Sequence, residues 1–212
     1  VEDARRFGCV PTDATGRVTN FLEKMPEPVT NQVNAGCYIF KRKVITTIPT
    51  DRPVSVERET FPGLLQDKAH IQAYVETAYW LDLGTPETYV QGSRDLVTGV
   101  MPSSALPGAV GESLVLPDAR VAPETQLSGG SVIGHGAIVG NATISGSVIC
   151  DGVVISDGAV IEDSLIGSGA VIGAGAQLVR AVVGDGALIA DGAQLVDQRA
   201  WNLSGSLFVT AV

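Results

Sequence analysis

The chain is short of cysteine, aromatic rings and positive charge, and each shortage removes a class of structure. Its three cysteines, Cys9, Cys37 and Cys150, are an odd number set far apart, with no C-x-x-C pair and no nearby histidine cluster. A disulfide framework and a zinc site of the usual spacing are both excluded. The thiols read as buried and free, in a reducing cytoplasm. Fourteen Lys and Arg against 23 Asp and Glu give a formal net charge of -9. Nucleic-acid binding, which rests on basic residues neutralising phosphates, does not fit that balance. Apolar runs are short as well, because Gly, Asp and Ser interrupt each one before the ~18 residues needed to span a bilayer. Residues 1–6 are charged and lack an initiator Met, so they are no signal peptide and read as a chain entered partway through a domain.

What is present is aliphatic. Hydrophobic residues make up 45% of the chain, only 5% is aromatic, and there are 25 glycines. That mixture favours stacked strands with tight corners. A boundary is expected near residues 101–108, where two prolines and small residues follow a helical segment ending at Gly99. The reading is therefore a first domain over 1–108 and a second over 109–212. In the first, strands are expected at 8–11, 18–22, 36–40 and 71–75. Helices are expected after Ser55, with Glu57 and Glu59 in the first turn, and after Thr85, with Pro86 at the first helical position.

After the boundary the chain repeats every six residues. Aliphatic side chains fall at Val115, Val121, Leu127, Ile133, Val139, Ile149, Ile155, Ile161, Ile166, Ile172, Leu178, Val183, Ile189 and Leu195. Four positions after most of them comes a small residue, such as Ala119, Thr125, Ala137, Thr143, Ala159, Ala170, Ala176, Ala187 or Ala193. Taking Val115, Ile133, Ile149, Ile166 and Val183 as starts gives steps of 18, 16, 17 and 17 residues. Each coil then has three short strands and three corners, one corner trimmed. A helical repeat is a poor fit, since each glycine would cost about 1 kcal/mol in a helix. The register resembles that of left-handed β-helices, and the handedness is taken from this resemblance. The acidic residues Asp151, Asp157, Asp163, Asp185 and Asp191 mostly sit beside corner glycines, where turn chemistry accounts for them. His135 occupies a variable position of the repeat and reads as a surface residue.

Three clusters in the first domain carry more specific information: 21–24 (Phe-Leu-Glu-Lys), 34–40 (Asn-Ala-Gly-Cys-Tyr-Ile-Phe) and 79–87 (Tyr-Trp-Leu-Asp-Leu-Gly-Thr-Pro-Glu). With 7–10 (Phe-Gly-Cys-Val) ahead and the Ser-x-Glu-x-Glu-x-Phe-Pro segment 55–62 between, their order resembles the sugar-1-phosphate nucleotidyltransferases, in the mannose-1-phosphate guanylyltransferase branch. The resemblance implies an α/β fold, the C-terminal part of a Rossmann-like nucleotidyltransferase domain, followed by a left-handed parallel β-helix. It implies formation of a nucleotide sugar, GDP-mannose, and pyrophosphate from GTP and mannose-1-phosphate, assisted by Mg²⁺. A thymidylyl- or uridylyltransferase of the same kind is the related alternative.

In that family Lys24 matches the lysine on the sugar phosphate, and Glu23 the acid that accepts from sugar hydroxyls. Asn34, Gly36 and Gly8 match positions that hold the sugar by an amide and by close backbone approach. Asp82 matches the metal-binding aspartate, expected at a strand end. Most of these residues also have a plainer role: a solvated lysine for Lys24, an ion-pair partner of Lys24 for Glu23, tight turns for the two glycines, and for Asp82 a helix-capping acid, a position that Thr85 already fills. Met25 stands where the commonest family form has proline directly after the lysine. The glycine-rich nucleotide loop and second aspartate of the family do not occur, so the chain is expected to lack the N-terminal nucleotide-binding half and to be inactive alone. A noncatalytic regulatory or scaffold subunit that senses nucleotide sugar is the alternative of a different class. A hexapeptide acyltransferase leaves the first domain unexplained. The segment after Leu195 breaks the period and brings in Trp201, as a terminal cap does, and a homo-oligomer through the β-helix is expected.

Overall fold

The computed structural model describes residues 1–106, 111–203 and 206–211. It forms two compact units, Val1–Trp80 and Leu81–Val212. The expected domain boundary between residues 108 and 109 lies outside the described residues.

In the first unit the expected strands shrink to single backbone bridges. Cys9 bridges Leu22 and Val33, Thr12 bridges Val18, and Arg17 bridges Gln72. Residues 36–40 enter no bridge among the described residues, Gly36 sits at φ 78°, and Ile39 is 99% exposed. Strand propensity takes effect only where a neighbour accepts the backbone groups along several residues, and these segments meet at isolated pairs and not along a run. Helices form where expected. Ser55 caps a π-helical turn, Val56–Thr60, its Oγ accepting from the Arg58 N–H at 3.2 Å. The turn runs directly into a short α-helix, Phe61–Gln66, while a four-residue helical turn, Arg42–Ile45, was not anticipated.

In the second unit, the helix Pro86–Thr98 is bounded as its sequence requires. Thr85 and Thr88 cap it reciprocally, Thr85 Oγ1 accepting at 3.3 Å and Thr88 Oγ1 at 3.1 Å, and Gly99 ends it at φ 81°. The helix packs on the first strands of a parallel β-solenoid, consistent with a left-handed β-helix of about five turns. One face holds Ser113–Val115, Ser131–Ile133, Val148–Ile149, Leu165–Ile166, Val182–Val183 and Gln198–Leu203, extended by the antiparallel strand Ser206–Ala211. The second runs from Arg120–Val121 to Leu188–Ile189 and the third from Gln126–Ser128 to Gln194–Val196, five strands each.

Register puts like on like: Val115, Ile133, Ile149, Ile166, Val183 and Ala200 form one column, buried from Ile133 onward, with Val115 exposed on the first coil. All the aliphatic positions of the period fall in such columns. The third column holds one residue that the six-residue series passes over, Ile144, between Leu127 and Ile161. It lies five residues after Val139, so the small corner residue of that coil is the buried Ala142; Thr143, expected there, is only half-buried.

The corners explain the rest of the composition. The carboxylates of Asp151, Asp157, Asp185 and Asp191 accept, each at 2.8 Å, from the N–H of His135, Asn141, Ser168 and Ala174 in the preceding coil. They bridge coils as well as occupying turns. A Cβ on Gly134, Gly140, Gly167 or Gly173 would lie within 2.7 Å of these same oxygens, which fixes glycine there. Asp163 differs: it pairs with Arg94 of the helix. At the trimmed corner Ser131, Ser147 and Ser164 are buried in a hydroxyl ladder. Each Oγ accepts the N–H of the next coil, from Ser147 at 3.3 Å, Ser164 at 3.1 Å and Ala181 at 2.9 Å.

Of the cysteines only Cys9 is buried; Cys150 is half-buried and Cys37 exposed, which corrects the expectation of three buried thiols. Cys37 lies on the 36–40 segment, which enters no bridge among the described residues. His135 is exposed, as expected. No described helix is long and apolar enough to cross a membrane.

Two outcomes follow from this packing. Ser147→Ala, a size that the ladder accepts at Ala181, leaves the buried Ser164 N–H without its acceptor and is expected to lower unfolding free energy by about 1–3 kcal/mol in a denaturant titration. Burial, helped by Asp185 and then Asp151, pushes the Cys150 thiol above its ordinary value. Its thiolate fraction at a given pH therefore falls. Iodoacetamide labelling followed by mass spectrometry is expected to modify Cys37 first and Cys150 with an alkaline-shifted pH profile that moves back down in Asp185→Asn, while Cys9 reacts only on unfolding.

Candidate functional site

The first unit is organised around one buried ring. Phe61 stacks on Phe21 with centroids 4.4 Å apart and planes 6° apart, and meets Tyr38 at 5.1 Å and Phe40 at 5.7 Å. Two of the sequence clusters, 21–24 and 34–40, are thus fastened to the end of the Val56–Thr60 turn by aromatic contact. The turn carries the polar counterpart. Its π geometry is marked by the Thr60 N–H donating to the Ser55 carbonyl at 3.2 Å, and successive side chains fan out to different partners.

Arg58 Nε donates to Glu23 Oε1 at 3.1 Å. Glu57 Oε1 accepts from Asn34 Nδ2, which also donates to the Tyr38 hydroxyl. Glu59 turns the other way, accepting from Arg52 Nη2 at 2.7 Å and from the Ser55 N–H at 3.2 Å. The Arg52 bond, then the Ser55 bond, hold its carboxyl below the ordinary glutamate range.

The sequence-predicted residues divide accordingly. Glu23 is paired with Arg58 and not with Lys24, because Arg58 projects from a turn already docked beside Phe21. Lys24 is exposed and enters no ion pair among the described residues. Asn34 also accepts the Gly36 N–H on Oδ1 at 3.0 Å, closing a tight turn in which Gly36 has φ 78° and open space at its Cβ position. At Gly8 the constraint is proximity, since a Cβ would lie 2.6 Å from the Leu22 carbonyl oxygen.

Asp82 belongs to the second unit. It is exposed, on a loop and not at a strand end. Its carboxylate bends over Gly84, where a Cβ would stand 2.9 Å from Oδ2. No three His, Cys, Asp or Glu groups converge among the described residues. Magnesium takes one or two protein carboxylates and fills its octahedron with water and phosphate oxygens, and a single exposed aspartate fits that donor set.

Sequence reasoning missed Glu57 and Arg58 as members of this arrangement. The 55–62 segment served only as a fingerprint, although two adjacent opposite charges in the first turn of a capped helix were a signal.

Comparison with known proteins covers nearly the whole chain. Residues 1–99 match the family model described as Nucleotidyl transferase, and residues 109–200 the one described as GMPPB C-terminal domain. The mannose-1-phosphate guanylyltransferase of Mycobacterium tuberculosis is 57% identical over 123 residues, 58% of this chain and 34% of that protein. The mannose-1-phosphate guanylyltransferase catalytic subunit beta of Drosophila melanogaster is 35% identical over 133 residues, 57% of this chain and 34% of that protein. The probable mannose-1-phosphate guanylyltransferase 3 of Arabidopsis thaliana is 32% identical over 116 residues, again 34% of its length. The chain spans about a third of the length of these curated relatives.

Proposed function

We propose that this chain, which matches the Nucleotidyl transferase model over residues 1–99 and the GMPPB C-terminal domain model over residues 109–200, forms the sugar-phosphate side of an enzyme making GDP-mannose and pyrophosphate from GTP and mannose-1-phosphate. The observation that supports this reading is the joint attachment of the Glu23–Lys24 and Asn34–Gly36 segments to one turn through Phe61, Arg58 and Glu57. That attachment sets an acid, a free lysine and a tight amide turn on one scaffold. A sugar phosphate presents the complementary groups, hydroxyl donors and an anion.

In the proposed reaction an oxygen of the sugar phosphate attacks the α-phosphorus of the triphosphate. The new P–O bond forms as the bond to the β-phosphate bridge breaks, and the electron pair leaves on pyrophosphate. Lys24 neutralises the attacking phosphate as a point charge on a flexible stem. Glu23 accepts from sugar hydroxyls, and the Gly8 and Gly36 backbones admit the ring closely. Asp82 would hold Mg²⁺, which when bound neutralises charge on the reacting phosphates.

These 212 residues alone are expected to release no pyrophosphate, whereas joined to the nucleotide-side segment of a relative they turn over with GTP, mannose-1-phosphate and Mg²⁺. Asp82→Asn in that protein is expected to lower turnover by about 10²-fold or more with an unchanged melting temperature. Pyrophosphate release by the 212 residues alone, or wild-type rates in Asp82→Asn, contradict the assignment. Tight binding of GDP-mannose without turnover would favour a regulatory subunit.

The terminal hairpin is the proposed assembly surface. Its last strand, Ser206–Ala211, is exposed on both faces and has one edge that pairs with no strand among the described residues, with Leu207, Phe208 and Val209 among its side chains. Light scattering at micromolar concentration is expected to give a homo-oligomeric mass that falls when residues 200–212 are deleted; a monomer, or an oligomer untouched by the deletion, rules the hairpin out.

A further inference from the structure

We infer that Arg58 is a positioning residue for sugar recognition, its guanidinium fixing the Glu23 carboxylate so that the remaining edge of that carboxylate selects the hydroxyl pattern of the sugar. The inference rests on the sugar-1-phosphate reading above and deepens it.

The backbone beneath Glu23 is held, because the N–H and C=O of Leu22 are both bonded to Cys9 at 2.9 Å. The side chain is not held by packing, being 70% exposed. A glutamate in that position samples many rotamers unless something outside its own segment orients it. Arg58 does so from a fixed base. Its N–H is bonded to Ser55 Oγ, and three residues on, Phe61 stacks on Phe21, two residues before Glu23. The same two segments are therefore joined at two points, by a buried ring stack and by an ion pair. The stack sets the register in which the pair meets.

The pair itself is exposed on both sides, and exposed pairs add little to stability. Its consequence is orientation. Glu23 Oε1 is taken by Arg58, and the carboxylate keeps acceptor positions on Oε2 for hydroxyl donors. Asn34 has less left to offer, since its amide hydrogens go to Tyr38 and Glu57 and its oxygen receives the Gly36 N–H. Discrimination among sugar hydroxyls thus falls on Glu23, and its aim on Arg58.

The test uses the 212 residues joined to a nucleotide-side segment, as wild type, Arg58→Met, Arg58→Lys, Glu23→Gln and the double variant Glu23→Gln/Arg58→Met. Arg58→Met is expected to raise KM for mannose-1-phosphate about tenfold while KM for GTP, kcat and the melting temperature stay put. Preference for mannose-1-phosphate over glucose-1-phosphate shrinks with it. Arg58→Lys restores part of the loss, since an ammonium supplies charge without the planar fork. The double variant matches Glu23→Gln alone, because an arginine that acts through Glu23 has nothing left to aim. An unchanged KM for the sugar phosphate, an equal rise for both substrates, or additive losses overturn the inference. Calorimetric titration with mannose-1-phosphate alone separates it from the activity reading. Weakened binding in Arg58→Met supports positioning even if the wild type does not turn over, whereas equal binding overturns it. A wild type that binds no mannose-1-phosphate overturns both.

Discussion

Every coil of the solenoid has to pass its backbone N–H groups to acceptors in a neighbouring coil, and most features of the second unit follow from that requirement. Strands of two or three residues satisfy it along the faces. At the corners single backbone bonds still join the coils, as from Gly152 to His135 and from Gly169 to Asp151, and side chains take the N–H groups left between them: aspartates at two corners and serines at the third. An aspartate reaching across to the previous coil occupies the space above its backbone, so glycine follows as a steric consequence. The buried serines are then no exception to an apolar core. Without them the trimmed corner would bury donors with no acceptor.

The first unit meets the opposite condition. Its described backbone pairs only at isolated bridges, so no ladder sets the distance between segments. Side chains do that instead, and they do it from one place. Phe61 gives the apolar anchor; Arg58 and Glu57 give two polar ties, each to a different cluster. A capped helical turn is suited to this because its own geometry is local and needs no partner strand. The proposed sugar side inherits its rigidity from the turn and not from a sheet.

This difference sets what was legible in the sequence. Stacked coils demand the same kind of side chain at the same place in every turn, so the inward columns could be read directly, apart from Ile144, whose five-residue step hides it from a six-residue series. Helix ends were legible for the same local reason: the hydroxyls of Ser55 and Thr85 and the glycine at 99 act on their own neighbours. The bridging role of the aspartates was not, because their partners lie 16 or 17 residues back. Nor was the Glu23–Arg58 pair, which joins positions 35 residues apart through a ring stack that no period announces. The candidate site residues themselves were found through family resemblance, and their geometry came only from long-range contacts.

The scarcity of aromatic residues takes on meaning in that light. Between residues 113 and 196, the span of the regular coils, there is no Phe, Tyr or Trp. A prism whose three walls each contribute one inward side chain per coil has room for Ile, Leu and Val, and a ring there would force a neighbouring column outward. Four of the five phenylalanines lie in the first unit and the fifth, Phe208, stacks on Trp201 where the parallel repeat ends. Rings lie where the coil-to-coil ladder does not reach, because a ring buries a large area at one point and needs no repeating partner to do so. A composition that is poor in aromatics overall is therefore consistent with a first unit that depends on them, and the substitution of a ring at Phe21, Phe40 or Phe61 bears on the proposed site more directly than a change in any single column of the solenoid.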